Sequence, residues 1–395
     1  MMFYGEKLSS LRELNGLSRK ELADKLNISE QAVWQYENDS IIPRIEVLNQ
    51  LRNLFCVETR YFFSSGYLTA KVSEERIAYR AEDRASRKKT KLELTFLNYI
   101  DHYINCFEQH LLVPESPIIG IRKESLKLIE KSHLERKETI KKVAEFARNK
   151  LSLKDNKDLM YTLENSGIYI VEKNLGSQID AYSAVTREGR LYIVLGTVKK
   201  SAVRRNFDLA HELGHLLLHA NVDMDTLSPA ELNIIEKEAH LFASVFLLPE
   251  KEFVDDFFEL KRKSNPDYYI DLKRKYLVSI AALEMRAYAL GLLSYQENRY
   301  FWGQLTKKKY KLFEPLDDEI PPVKPGKLRY LFKFVLNKNV VNLNHLLDYF
   351  NIQSGFLSKL FNLDEHFFDP YLETKKDYFR EARILDIDDF RDKAY

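Results

Sequence analysis

The residues best suited to chemistry are His211, Glu212 and His215, in the order His-Glu-Leu-Gly-His. On a helix, two histidines four positions apart stand on one face and can share a zinc ion. The glutamate lies about 100° further round, where its carboxylate can reach a metal-bound water rather than the metal. Phe207, Leu209, Ala210, Leu213, Leu216, Leu217 and Leu218 make the surrounding segment apolar on almost every side, the mark of a buried helix. Imidazoles and a carboxylate are costly there unless something pairs with them. The pattern predicts a Zn2+ site that activates water for hydrolysis, with His211 and His215 as ligands and Glu212 as the base.

Such a site needs a third protein ligand, and the sequence Glu236-Lys-Glu-Ala-His240 downstream offers one. Ala239, Phe242, Ala243 and Phe246 mark the packed stripe of that helix. Stepping back by three from Ala239 and by seven from Ala243 lands on Glu236, so Glu236 rather than Glu238 is the expected ligand. His240, one turn beyond, is expected to orient a ligand from behind. His219 does not fit the spacing of a third histidine ligand and reads as structural or solvated. Tyr182, near an expected edge strand, is a weaker candidate for the cleft.

Several elements must position these residues. The chain has 395 residues with 45% hydrophobic and 30% charged, an ordinary folded composition long enough for two or three domains. Only 13 glycines and 11 prolines punctuate it, against 24 Phe and 23 Tyr, which favours long packed helices. The expected fold class is α+β and mostly helical: a compact helical N-terminal domain, a domain with a small β-sheet around the histidine motif, then a helical C-terminal domain. GIYIVEKN and RLYIVLG read as strands of a small sheet or hairpin. The expected boundaries are 1–65 for the first domain and 66–134 for a helical connector. The domain of the histidine motif takes 135–313, a proline-rich linker 314–327 and an accessory domain 328–395. No internal repeat or low-complexity tract is evident.

Residues 1–63 alternate short apolar helices with turn residues. Ser18 and Glu21 form a capping box, Asn27 is a stop, and Ser29 caps the next helix. This order resembles a helix-turn-helix of the phage-repressor (Cro/C1, or XRE) type. The resemblance implies a recognition helix starting at Ser29 that presents Glu30, Gln31, Trp34 and Gln35 to double-stranded DNA. Gln31 and Gln35 suit adenine edges, and Arg44 suits phosphate. Charge argues against strong binding. Eight Lys and Arg face nine Asp and Glu over residues 1–63, a net of −1, so a homodimer or the basic stretch after Val72 would have to compensate.

FDLAHELGHLLLH followed by EKEAHLFASVFLLP resembles the ImmA/IrrE family of bacterial and phage metallopeptidases. Further similarity runs through IDAYSAV and YLVSIAALEMRAYALGLLS. The resemblance implies a zincin-like domain and a zinc metallo-endopeptidase. It implies zinc held by His211, His215 and Glu236, with Glu212 as catalytic base. It also implies cleavage or inactivation of a DNA-bound repressor, releasing mobile-element or stress-response genes. At His240 relatives usually carry Asn or Asp, which opens an extra-ligand role here. At Arg286 they usually carry Arg, which suits a buried ion pair.

Composition narrows the setting. The net charge of +2 announces no general affinity for nucleic acid or acidic membranes. No apolar run approaches the roughly 18 residues of a membrane span, and the first residues do not read as a secretory signal. Cys56 and Cys106 alone make no disulfide framework, so a cytoplasmic protein is expected. A rival reading shares every motif: a non-catalytic transcriptional regulator or antitoxin-like binding protein whose zinc is structural or sensory.

Overall fold

Ser18 opens the second helix as its sequence requires. Its hydroxyl accepts from the Glu21 amide at 3.1 Å, and the Glu21 carboxylate accepts from the Ser18 amide at 2.6 Å. The computed structural model describes residues 2–65, 77–78, 87–176, 179–198, 201–219 and 221–372. Four helices lead: α1 (Gly5–Leu14), α2 (Arg19–Leu26), α3 (Glu30–Glu37) and α4 (Ile45–Phe55). Asn27 ends α2 in the left-handed region at φ 53°, and Ser29 caps α3 by accepting from the Ala32 amide. Leu22, Ala23, Leu26, Val33, Leu48, Leu51 and Phe55 are buried; Ile28 is only half-buried.

The described residues fall into two compact units, one drawn from residues 2–11, 18–65 and 332–372, the other mainly from 77–331. In the second unit, a sheet of β1 (Ile77–Ala78), β2 (Tyr169–Lys173), β3 (Ala181–Val185) and β4 (Leu191–Gly196) has the order β1-β3-β4-β2. GIYIVEKN and RLYIVLG are β2 and β4, yet they lie parallel; the hairpin is formed instead by β3 and β4. Strand periodicity states which faces are buried, not which neighbour pairs with which.

Helices of this unit are α5 (Arg87–Glu108), α6 (Pro117–Glu130), α7 (Arg136–Lys150), α8 (Leu159–Asn165) and α9 (Ala202–Leu218). They continue with α10 (Pro229–Leu247), α11 (Glu250–Phe258), α12 (Ile270–Tyr276), α13 (Ile280–Ala289) and α14 (Tyr295–Lys307). Helix α9 is buried along most of its length between the sheet and α10. Gly214 makes the crossing possible, because a Cβ there would meet the Phe242 ring at 3.1 Å. A polar layer joins α5 to the sheet. Tyr182 Oη donates to Glu93, and Tyr192 Oη and the Arg190 guanidinium donate to Asp101.

The proline-rich stretch 314–327 is no free tether. Buried Lys273 donates to Glu314 at 2.9 Å and to Asp317 at 2.7 Å, and Glu314 also accepts from the Ile280 amide. Further along, Arg205 donates to the Val323 carbonyl, and the amides of Gly326 and Lys327 donate to Glu164.

Helices α15 (Lys327–Asn337), α16 (Leu343–Phe350) and α17 (Ser354–Leu360) follow. The expectation that the chain holds no internal repeat is corrected here. Residues 48–63, LNQLRNLFCVETRYFF, and 343–358, LNHLLDYFNIQSGFLS, share one local fold. Each is a helix, a left-handed residue (Cys56 or Asn351), an extended pair and a second short helix. The basic stretch SEERIAYRAEDRASRKKTK lies largely outside the described residues, as does the tail 373–395.

Candidate metal centre

Helix α9 brings His211, His215 and His219 to one face, and α10 lays Glu236, Glu238 and His240 against them. His211 Nε2 and His215 Nε2 stand 3.1 Å apart. Glu236 straddles the pair, with Oε2 3.3 Å from His211 Nε2 and Oε1 3.4 Å from His215 Nε2. Zinc bonds of 2.0–2.1 Å in a tetrahedron put neighbouring ligand atoms about 3.3 Å apart, and the pairwise separations here, through the two oxygens of Glu236, are of that size.

Protonation suits the same use. Burial pushes the His211 pKa down to about 3, which keeps the imidazole neutral with a lone pair to offer. Burial alone would raise the Glu236 carboxyl, but hydrogen bonds with His211 and His215 outweigh it and hold the group below the usual carboxylate range. An ionised carboxylate and two imidazole nitrogens facing one point form a cradle for a cation. His240 completes the group. One ligand atom each from His211, Glu236 and His240 lie within 4.8 Å of one another. Its ring stacks on Phe207 and stands 4.6 Å, centroid to centroid, from that of His211. Contact with the cluster, not a place behind it, makes His240 a possible fourth ligand. Glu212 is 3% exposed, on the neighbouring face of α9.

Behind His215 runs a chain that sequence reasoning missed. His215 Nδ1 lies 3.1 Å from His219 Nδ1, and His219 Nε2 lies 3.0 Å from Glu238 Oε2. Arg136 grips Glu238 with two hydrogen bonds, which outweigh burial and hold that carboxyl at about 2. One proton arrangement satisfies the chain: His215 donates through Nδ1 to His219, which donates through Nε2 to Glu238. His215 Nε2 is then left as the metal-facing atom. The signal was present in HELGHLLLH, where His219 repeats the i, i+4 step from His215. His219→Leu should keep the fold and weaken zinc binding about 10–100-fold, read by competition with a chelating indicator. Unchanged affinity would mean the chain does not orient His215.

The cleft beside these histidines is a cavity of about 610 Å³. His215 and His219, residues Ser183–Val185 of β3, and Arg122 and Lys123 of α6 all contribute to its walls. Tyr182 is not in it. Its side chain points to the other face of the sheet and donates to Glu93, because strand alternation gives Ser183 to the cleft and Tyr182 to α5. Arg286, 2% exposed, has Nη2 3.6 Å from a Glu250 carboxylate oxygen, an ion-pair partner rather than a position in the cleft.

In the first unit Ser29, Glu30, Gln31, Trp34 and Arg44 are exposed, and Gln35 is half-buried. Trp34 is 48% exposed. Glu37, by contrast, is buried and accepts from Arg19 at 2.6 Å.

Two family models match the chain. Residues 163–288 match the family model of the IrrE N-terminal-like domain, peptidase M78, and residues 8–62 match a helix-turn-helix model. Over 97 residues the chain is 29% identical to the HTH-type transcriptional regulator ImmR of Bacillus subtilis (strain 168). That stretch is 25% of this chain and 76% of the relative. No helix among the described residues is long and apolar enough to cross a membrane. A helix-turn-helix domain is thus followed in one chain by an IrrE-like peptidase domain.

Proposed function

We propose that this chain, a helix-turn-helix protein with an IrrE-like peptidase domain, is a zinc-dependent endopeptidase. Its substrate is a repressor-type protein, whose cleavage or inactivation switches on mobile-element or stress-response genes. The observation that carries this reading is the convergence of His211, His215 and Glu236, with polar atoms 3.1–3.4 Å apart, a separation that suits zinc ligands. When bound there, zinc would polarise the scissile carbonyl and acidify a water. Glu212 takes the proton from the attacking water and returns it to the leaving amine. His219, Glu238 and Arg136 fix His215 in one tautomer. The cavity walls hold the peptide, and DNA bound by the first domain raises the local concentration of a substrate bound nearby. Co-expression with the products of neighbouring genes, followed by intact-mass analysis, tests the reading. A fragment pair that disappears with a chelator supports it, whereas intact partners throughout oppose it.

A regulator without turnover is the second reading, favoured by the likeness to a transcriptional regulator. Both readings use DNA, and the exposed row on α3 makes its own forecast. Gln31→Ala and Gln35→Ala should each relax sequence preference by about 1–3 kcal/mol, the value of a bidentate base contact. Arg44→Ala should weaken binding to all sequences alike and flatten the salt dependence. Titration of promoter and random DNA at two salt concentrations separates the two effects. Equal affinity for both DNAs, with partner protein lost in Trp34→Ala, would assign this surface to a protein instead.

A further inference from the structure

Strand β3 walls the cleft beside His215 and His219 through Ser183, Ala184 and Val185. Two hydrogen bonds at its ends fix which way its backbone faces. The Gly196 amide donates to the Asp180 carbonyl at 2.8 Å, and the Thr186 amide donates to the Arg190 carbonyl at 2.9 Å. Bonded and non-bonded pairs alternate along an antiparallel ladder, so Tyr182 and Ala184 also turn their backbone polar groups to β4. Ser183 and Val185 turn theirs the other way, to the outer edge of β3. An extended peptide entering the cleft needs those amides and carbonyls, because a sheet edge takes up an added strand through them.

Strand β1 already holds that place. Ile77 pairs with Ala184 and Ala78 with Ser183, antiparallel. By the same alternation Ala78 and Ser183 form the bonded pair, and the Ile77 amide points away from β3. Two of the three β3 residues that line the cavity are thus the two that β1 covers. We infer that β1 is a blocking strand. The chain's own backbone at Ile77–Ala78 occupies the edge on which a peptide substrate must lie, and the cleft accepts a substrate only when β1 leaves. A strand of two residues suits this task, since an element with so few hydrogen bonds opens readily. A peptide that pairs along the whole of β3 makes more bonds than the strand it displaces. The inference names the regulation of the proposed endopeptidase site and rests on that reading, but its test needs neither zinc nor turnover.

Proline separates the ladder from its surroundings. Ala78→Pro removes the amide that donates to the Ser183 carbonyl, whereas Ile77→Pro removes one that points away and leaves the ladder intact. The probe is a dye-labelled peptide of residues 73–82, SEERIAYRAE, added to the full-length chain with a chelator so that nothing is cut. Fluorescence anisotropy should show Ala78→Pro binding it about tenfold more tightly than the wild type, because only the uncovered fraction binds. Ile77→Pro should match the wild type. Hydrogen exchange, followed residue by residue, reads the edge itself. The Ser183 amide should exchange slowly in the wild type, quickly in Ala78→Pro, and slowly again once the peptide is added. The Ala184 amide, bonded to β4, should stay slow throughout and so reports an intact sheet. Equal affinity in the three proteins, or tighter binding by Ile77→Pro as well, would overturn the inference. So would a bound peptide that leaves Ser183 fast. Fast exchange of Ser183 in the wild type would overturn it with no variant needed.

Discussion

Glu212→Gln is expected to lower metal-dependent proteolysis by about 10²–10⁴-fold while leaving zinc content and unfolding temperature near the wild-type values. The amide keeps the size of the side chain but cannot accept the proton of the attacking water. The ligand atoms lie elsewhere, on His211, His215 and Glu236, so their mutual spacing of 3.1–3.4 Å is untouched. Rates of fragment formation by intact mass, alongside elemental analysis of the same preparation, give both readouts. Zinc lost with the rate would mean that Glu212 is a ligand rather than the base.

His215→Ala should have the opposite signature. It removes one of three ligands and the anchor of the His219–Glu238–Arg136 chain, leaving His211 and Glu236 to hold zinc poorly. Most of the metal should be absent from the purified protein. Alanine favours the helix, and α9 remains packed by Leu209, Leu213 and Leu217, so the fold should persist. Added zinc should raise the unfolding temperature of the wild type, since a ligand at about 100 times its Kd contributes about 2.7 kcal/mol. It should not raise that of the variant. Undiminished zinc in His215→Ala would remove the ligand assignment.

Local rules carried far in this sequence. Capping chemistry at Ser18 and Ser29 located two helices, and the apolar surround of the His-Glu-Leu-Gly-His run signalled a buried helix. The packed stripe of α10 separated Glu236 from Glu238, and the two carboxylates do face different partners. What stayed hidden depends on tertiary pairing. Nothing local makes β2 and β4 parallel, or turns Tyr182 away from the cleft. The proline-rich stretch gave no sign of Lys273, which recruits Glu314 and Asp317 from across the fold. His219 gained its role only once α10 delivered Glu238 and α7 delivered Arg136. The likeness of 48–63 and 343–358 escaped notice because only Leu48, Asn49, Leu51 and Phe55 recur unchanged, and replacements such as Ile352 for Val57 suit any core.

The central claim is a metal centre built from two imidazoles and one carboxylate. X-ray absorption at the zinc edge of the full-length protein tests it most directly. One zinc per chain is expected, with nitrogen and oxygen neighbours at about 2.0–2.1 Å and the multiple-scattering pattern of two imidazoles, or three if His240 joins. A shell containing sulfur, a shell without imidazole, or no zinc after growth in zinc-supplemented medium would contradict it.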